Sequence, residues 1–218
     1  LTNIAYSAFR DCAALSEITI PESVTSIGDY AFYGCAALTE INIPTGVTSI
    51  GSLAFYNCTS LTKISIPVGV TSIGSNAFSG CSALTEIELP DGLLTVGSSA
   101  FSGTSIETLI FPDSVTSVDI RDLKQVKHLH WPGGVPTIST GQFTSLTALE
   151  TVELGEGVTE IKGSSSNSGA FQGLKNLKSV KLPGTLTNIA YSAFRDCAAL
   201  SEITIPEAVT SIGDYAFY

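Results

Sequence analysis

The sequence predicts a solenoid, a stack of short coils with a parallel sheet along one side, in which each coil packs only on its neighbours. Two observations predict this fold. The pattern L-x-x-I-x-I-P recurs nine times along the chain, and its last position advances in steps of 23, 23, 23, 22, 20, 23, 28 and 23. A period in the twenties with a leucine-rich strand signature is typical of repeat arrays. The last position of the pattern is filled by Pro21, Pro44, Pro67, Pro90, Pro112, Pro132, Gly155, Pro183 and Pro206.

The repeat at residues 24–46 shows how each element of a coil is predicted. Over residues 40–43, polar and apolar residues alternate, which is the period of a strand with one buried face. Pro44 ends this strand because it has no N–H for another ladder bond. The Ala-Phe-x-x-Cys stretch at residues 31–35 has approximately helical spacing over a short length, so it predicts a short helical or 3₁₀ segment.

The coils must cover one another, because so short a repeat cannot shield its own apolar face. Each large side chain buried between coils contributes roughly 1.5–3 kcal/mol. Nine coils at the spacing of paired strands form a parallel sheet about 40 Å long. The sequence therefore predicts one elongated domain over residues 1–218, with about nine coils of roughly 23 residues each.

The repeat unit resembles the BspA-like leucine-rich repeats, also described as the Treponema pallidum type. Their order I-G-x-x-A-F-x-x-C-x-x-L-x-x-I-x-I-P stands intact at residues 50–67, and again at residues 73–90 with leucine at the second-last position. The resemblance implies a cell-surface or secreted protein of host-associated bacteria or of certain parasitic protists. It also implies adhesion or protein recognition through the concave face, with an extracellular protein or a glycan of a host or neighbouring cell as partner. It implies no enzyme activity and no cofactor.

Composition agrees with that expectation. Ten Lys and Arg residues against 20 Asp and Glu residues give a net charge of −10, whereas a nucleic-acid or anionic-membrane partner calls for a basic face. The sequence contains no run of 18 apolar residues that would span a membrane. It contains no leader-like segment at its start, so a signal peptide, if one exists, is expected outside this sequence.

The five cysteines recur at one slot of the repeat, and that slot also accepts threonine and leucine. Side chains in one slot of successive coils point the same way, which is poor geometry for a disulfide. A zinc site would need Cys or His residues at short spacings, whereas these cysteines are at least 23 residues apart. We therefore expect buried free thiols. The slot is assigned to Cys12, Cys35, Cys58, Cys81 and Cys197, and in other coils to Thr104, Thr144 and Leu174.

A candidate binding surface follows from the outward-facing positions of the predicted strands, most of which are small or charged. Ile110 is an apolar residue at such a position, and His128 and His130 lie together in the shortest coil, of 20 residues. Glu153 and Lys181 occupy outward positions on the strands that follow. We expect these five residues to be exposed together on the concave face and to bind the partner.

Two other chemistries compete with this interpretation of the surface. His128, His130 and Glu153 could supply three metal ligands, since positions i and i+2 of a strand lie about 6.5–7 Å apart. No second shell of supporting residues is legible, so a polar partner contact is the preferred interpretation and no metal site is predicted. The sequence contains none of the common catalytic motifs, and Ser179 is the candidate nucleophile nearest to the two histidines. Trp131 occupies an inward position and is expected to fill the core.

The middle of the chain departs from the repeat. Residues 119–123 replace the Ala-Phe-x-x-Cys element, and an insertion within residues 162–169 has the composition of a flexible loop. One interpretation is drift in an array that tolerates insertions; the other is that this region holds the recognition surface. The near-identical outer repeats favour a different function, a spacer or stalk that presents another domain.

Residues 1–33 and 186–218 match at 32 of 33 positions, with an offset of 185. Duplication of a block of eight coils accounts for this match, and an artefact of the cloned sequence is the alternative. We expect the chain to be a fragment of a longer array. Its uncapped ends would then expose apolar coil faces and allow head-to-tail self-association.

Overall fold

A computed structural model of the chain describes residues 1–120, 122–164 and 168–218. These residues form a β-solenoid of parallel strands, which confirms the predicted fold class. The chain divides into two compact units, unit 1 over residues 1–123 and unit 2 over residues 124–218. Arg121 in the irregular middle and residues 165–167 in the insertion lie outside the described residues. That the chain acts as a single domain stays a prediction.

Unit 1 contains two series of strands, because each coil supplies a two-residue strand and most coils supply a three-residue strand. The two-residue strands pair in parallel as one six-stranded sheet, in the order β1-β2-β4-β6-β8-β10. The longer strands β3, β5 and β7 form a second parallel sheet in which equivalent residues of successive coils face each other. The bounds are β1 (Asn3–Ile4), β2 (Ser26–Ile27), β3 (Glu40–Asn42), β4 (Ser49–Ile50), β5 (Lys63–Ser65), β6 (Ser72–Ile73), β7 (Glu86–Glu88), β8 (Thr95–Val96), β9 (Thr108–Ile110) and β10 (Ser117–Val118).

Unit 2 repeats this plan and adds one hairpin. Its longer strands β11, β13, β17 and β19 pair in parallel, and so do its short strands β12, β14, β18 and β20. Strands β15 and β16 pair antiparallel. The bounds are β11 (His128–Trp131), β12 (Thr137–Ile138), β13 (Thr151–Leu154), β14 (Glu160–Ile161), β15 (Gly163–Ser164), β16 (Ser168–Gly169), β17 (Ser179–Lys181), β18 (Asn188–Ile189), β19 (Glu202–Ile203) and β20 (Ser211–Ile212).

The expected short helical segment is instead a series of stacked turns, and no helix occurs among the described residues. The amide of Tyr33 donates to the carbonyl of Tyr30 at 3.1 Å, but the next amide, of Gly34, donates across to Tyr56 of the following coil at 2.8 Å. Tyr30 and Gly34 have φ of 58° and 71°. Residues in this left-handed region cannot continue a right-handed helix. Every second amide therefore binds a neighbouring coil rather than its own.

The core is a column of phenylalanine rings, one from each regular coil. Phe55 is fully buried and stacks between Phe32 and Phe78 at centroid distances of 5.2 and 5.4 Å. In unit 2, Phe143 stacks on Phe171 at 4.5 Å, and Trp131 meets Phe143 edge-on at 5.1 Å. Trp131 is 1% exposed, which confirms that it fills the core.

The cysteine slot is a buried packing position in unit 1. Cys35, Cys58 and Cys81 are buried free thiols, and the thiol of Cys58 donates to the carbonyl of Phe32 at 3.2 Å. The expectation is wrong for Cys12, which is exposed, and Cys197 is only half-buried. In both cases less of the side chain is covered by a neighbouring coil.

The slot assignment of Thr144 is also wrong. The amide of Leu146 donates to Phe143 at 2.9 Å, as the amide of Cys81 donates to Phe78 in the regular coil, and Leu146 is fully buried. Thr144 is exposed. The slot is set by its position three residues after the phenylalanine, and a hydroxyl one residue after the phenylalanine points away from the core.

The insertion in unit 2 differs from the expected flexible loop, because its described ends form the β15–β16 hairpin. The hairpin lies against the backbone of the next coil. A Cβ atom at Gly163 would lie 1.8 Å from the carbonyl oxygen of Tyr191, and one at Gly169 would lie 1.8 Å from that of Ser192. Both positions therefore require glycine for close backbone approach.

Candidate binding surface

The outward side of the longer strands in unit 2, here called the unit 2 strand face, carries four of the five predicted binding residues. Each strand places alternate residues on opposite sides of the sheet. Leu129, Val152 and Val180 are buried at 2–3% exposure and anchor the three strands in the core. The residues on either side of each anchor consequently face away from the core.

Parallel pairing arranges these outward residues in rows. In one row His130 lies opposite Glu153, and Glu153 lies opposite Lys181. In the other row His128 lies opposite Thr151, and Thr151 lies opposite Ser179. His128 and Lys181 are exposed, whereas His130 and Glu153 are half-buried. The alternation turns all four residues outward, but His130 and Glu153 are half-buried rather than exposed as expected.

Glu153 is the centre of the first row. One carboxylate oxygen accepts a hydrogen bond from Lys181 Nζ, and the other, Oε2, lies 3.8 Å from His130 Nδ1. The His130 contact becomes an ion pair only when the imidazole is protonated. The side chain of His130 is 22% exposed and that of Lys181 is 75% exposed. The His130 end of the row is therefore largely shielded from solvent, whereas the Lys181 end is exposed.

This environment lowers the pKa of the Glu153 carboxyl below its ordinary value. The hydrogen bond from Lys181 is the largest cause, partial burial opposes it, and the positive charges of Lys181 and His130 add to the lowering. The same contact raises the pKa of Lys181 above its ordinary value. Glu153 and Lys181 are consequently both charged at neutral pH.

A second ion pair borders the strand face, and it was not predicted from the sequence. Lys178 Nζ lies 2.6 Å from Glu150 Oε2, and this hydrogen bond lowers the pKa of the Glu150 carboxyl. The signal that could have found it is the lengthened step of this coil, from Gly155 to Pro183. That step places Glu150 opposite Lys178 and Glu153 opposite Lys181 with the same offset.

The second row is organised by a hydrogen bond. His128 Nδ1 lies 2.8 Å from the hydroxyl oxygen of Thr151. Ser179 is the next residue of that row. A hydrogen bond to threonine holds the imidazole in one orientation, so this row presents polar groups on the outward side of the sheet.

Ile110, the fifth predicted residue, belongs to unit 1 and is described there. It is the last residue of β9 and is 61% exposed. Its neighbour in the strand, Leu109, is fully buried. The alternation predicted for this strand is therefore present, and Ile110 is an apolar side chain held in solvent by its register.

The described residues contain no group of three His, Cys, Asp or Glu side chains placed to hold a metal ion. Glu153, the third ligand of the alternative metal site, is instead hydrogen-bonded to the Lys181 ammonium group. None of the described residues belong to a helix with the length and apolar character needed to cross a membrane. What the surface can do is donate and accept hydrogen bonds and form ion pairs.

Comparison with known proteins gives one family match. The sequence profile of the BspA type leucine rich repeat region matches residues 2–121 and 121–218, with six copies of the repeat. No curated protein matches the chain significantly.

Several solved structures resemble this chain. A leucine-rich repeat protein from Bacteroides ovatus is 27% identical, with a TM-score of 0.59, over 100% of this chain and 67% of that one. The T. pallidum leucine rich repeat protein is 25% identical, also with a TM-score of 0.59, over 91% of this chain and 78% of that one. A leucine rich cell surface protein from Faecalibacterium prausnitzii is 25% identical over 100% of this chain and 74% of that one, at a TM-score of 0.48 that supports no structural argument.

Proposed function

Because the chain belongs to the BspA-type leucine-rich repeat family, we propose that it is a non-enzymatic recognition module for an extracellular protein. The proposed binding surface is the unit 2 strand face with His128, His130, Glu153 and Lys181. Ile110 is a separate proposed contact residue on unit 1. The observation that carries the proposal is the ordered row in which one carboxylate, Glu153, joins His130 to Lys181.

The row supports recognition because it is already organised. Binding costs free energy for each long side chain that must be immobilised, about 0.5–1.5 kcal/mol per side chain. Lys181 is held by Glu153, and His128 is held by Thr151 at 2.8 Å. A partner that meets these groups orders fewer side chains than one that meets free lysines.

The family supports a non-enzymatic role, because leucine-rich repeats of this type build recognition surfaces from a repeated strand. The hydroxyl of Thr151, 2.8 Å from His128 Nδ1, is one of the outward polar groups of that surface. The resemblance to BspA-like proteins supports a cell-surface or secreted location as part of the same proposal.

The proposal is tested by binding the whole chain to a panel of extracellular-matrix and mucosal proteins. The double variant Glu153→Gln with Lys181→Ala should weaken binding to any captured protein by about tenfold or more, as expected for central charged contacts. The matched control is Glu160→Gln with Lys162→Ala, which removes a partly exposed pair of 3.9 Å at β14, among the short strands of unit 2. The control should bind as the unaltered chain does.

The outcome that would contradict the proposal is equal binding by both double variants, or binding to glycans alone. Melting temperatures of both variants should stay within about 2 °C of the unaltered chain, because exposed ion pairs contribute little to stability. A loss of binding with an unchanged melting temperature would therefore mean that the variant alters the binding surface and leaves the fold intact.

The second candidate function is a spacer that presents another domain. The match between residues 1–33 and 186–218 favours it, since repetition without variation carries little recognition information. A panel in which the unaltered chain captures no protein and no glycan would favour the spacer.

A further inference from the structure

The sheet of longer strands in unit 1 is interrupted between β7 and β9. On one side, β7 pairs in register with β5 through Lys63 and Glu86, Ile64 and Ile87, and Ser65 and Glu88. On its other side β9 lies next to it, yet no backbone hydrogen bond joins the two strands among the described residues. The coil that supplies β9 is one residue shorter than the regular coil, as the step from Pro90 to Pro112 shows. Two strand edges therefore face each other unpaired.

The interruption exposes apolar side chains that the regular coils hide. In β5 and the residue that follows it, Ile64 and Ile66 are buried at 2% and 5% exposure. Their equivalents one coil later, Ile87 and Leu89, are half-buried. Ile110 on β9 is 61% exposed beside them. The result is a groove lined by Glu86, Ile87, Glu88, Leu89, Thr108 and Ile110, here called the β7–β9 groove.

Carboxylates stand at the rim of this apolar floor. Glu86 and Glu88 are both exposed on β7. Glu86 forms an ion pair with Lys63, with 3.5 Å between Oε1 and Nζ. Glu88 makes no ion pair with the described residues. A ligand for the groove therefore needs an apolar group for the floor and a positive charge for the rim.

We propose that the β7–β9 groove binds an extended peptide segment of a protein partner, in which an apolar side chain lies next to a lysine or arginine. The apolar side chain covers Ile87, Leu89 and Ile110, and the cation pairs with Glu88. An extended segment turns successive side chains to opposite sides, so one can meet the apolar floor while its neighbour meets the carboxylates of the rim. This inference deepens the proposed function and rests on it, since it assumes that the partner is a protein.

The test uses the whole chain and two synthetic probes, measured by calorimetry at 0.15 M salt. One probe is a capped peptide that alternates lysine and leucine, and the other is the same peptide with glutamate in place of lysine. The first should bind and the second should not. Ile110→Ser, which installs the residue type found at the equivalent position Ser65, and Glu88→Gln should each weaken binding of the first probe by about tenfold.

Two matched controls separate the groove from general attraction to an acidic protein. Val68→Ser removes a different apolar side chain of unit 1, which is 84% exposed. Glu40→Gln removes an exposed charge from β3, at the opposite end of the β3-β5-β7 sheet from the groove. Both should leave the affinity for the lysine–leucine peptide unchanged.

The proposal is overturned if Glu40→Gln weakens binding as much as Glu88→Gln, because the attraction is then diffuse. It is equally overturned if the lysine–leucine peptide does not bind at millimolar concentration, or if a neutral oligosaccharide of N-acetylglucosamine binds and is lost in Ile110→Ser. The two proposals fail separately. Loss of the groove proposal leaves the effect of Glu153→Gln with Lys181→Ala on a captured protein intact, and the reverse holds for peptide binding.

Discussion

The strand faces of the two units are built by the same alternation but carry different chemistry. In the β3-β5-β7 sheet of unit 1, successive regular steps place each outward residue opposite its equivalent in the next coil. Lys63 is the only cation among the described residues of that sheet. In unit 2 the lengthened step from Gly155 to Pro183 places Lys178 and Lys181 opposite Glu150 and Glu153. A change of step alters which residue types meet, while the parallel register itself is kept.

The two units also depart from the repeat in different ways. Unit 1 loses one residue before β9 and opens a groove, whereas unit 2 gains residues within 162–169 and covers the next coil with a hairpin. The first departure coincides with a loss of backbone pairing between β7 and β9, and the second adds an antiparallel pair. In unit 2 the phenylalanine stack continues past the insertion, from Phe143 to Phe171 and Phe194. The insertion therefore alters the local surface without interrupting the core of that unit.

The largest expected difference concerns the thiols. Burial raises the pKa of Cys35 from 9.0 to about 12, which lowers its thiolate fraction about thousandfold. A hydrogen bond with Cys81 is the first cause that raises the pKa of Cys58, and burial is the second. Iodoacetamide at pH 8 should label Cys12, which is exposed, while Cys35, Cys58 and Cys81 stay unmodified because they are buried.

Cys197, the equivalent of Cys12 in unit 2, sharpens this comparison. Burial raises its pKa to about 11, so it should react about a hundredfold more slowly than an unburied thiol. Mass spectrometry of the labelled peptides measures each rate. Cys12→Ser should remove the fast phase, and all five cysteines should react in denaturant. Labelling of Cys35 at the rate of Cys12 would show that the coil interface is open.

These thiols also show what the sequence predicts and what it does not. The repeat predicts which slots are inward, and Cys35, Phe55 and Trp131 are buried as expected. The alternation within strands predicts that His128 and Ile110 face outward. Both predictions work because the period of a repeat is local information and the neighbouring coil has the same pattern.

Features that depend on contact between unlike segments could not be predicted in this way. The Ala-Phe-x-x-Cys stretch has helical spacing, but every second amide of that stretch is used by the next coil, for example Gly34 by Tyr56. The hairpin on Tyr191 requires knowledge of which backbone the insertion meets. The β7–β9 groove lies where a coil lacks one residue, and the repeat pattern does not show how that loss affects the pairing of the strands.

The next largest effect should come from the hairpin of unit 2. Gly163→Ala and Gly169→Ala each place a Cβ atom 1.8 Å from a backbone carbonyl oxygen of the next coil. Backbone cannot yield as a flexible side chain does, so each change should lower the free energy of unfolding by about 1–3 kcal/mol. Urea unfolding followed by circular dichroism measures the loss.

Gly184→Ala is the matched control for the hairpin. A Cβ atom there meets only Glu156 Oε2, the end of a flexible side chain, at 3.9 Å. Its effect should stay within about 0.5 kcal/mol. If Gly163→Ala is as mild as Gly184→Ala, the hairpin does not pack on Tyr191 in solution.

The smallest expected effect concerns the ion pair that distinguishes the unit 2 strand face. Lys181 lowers the pKa of Glu153 in the folded chain below the ordinary 4.5. A lowered carboxyl pKa stabilises the fold above the ordinary value, and this stabilisation is lost as pH falls through the lowered pKa. The side chain of Glu153 is 45% exposed, so Glu153→Gln should cost only about 0.2–1 kcal/mol at pH 7. Once the pH has fallen below the lowered pKa, the variant and the unaltered chain should become nearly equal in stability.

Glu86→Gln on unit 1 provides the comparison for this change. Lys63 and Glu86 are separated by 3.5 Å, and both side chains are about two-thirds exposed, so their attraction is weakened by solvent. The cost at pH 7 should be near zero. Urea unfolding at pH 7 and at low pH measures both variants. Because Glu153 meets Lys181 and His130 whereas Glu86 meets Lys63 alone, only the unit 2 variant should show a loss that depends on pH. Equal losses at both sites would mean that the lengthened step of unit 2 creates no stronger pairing than the regular one.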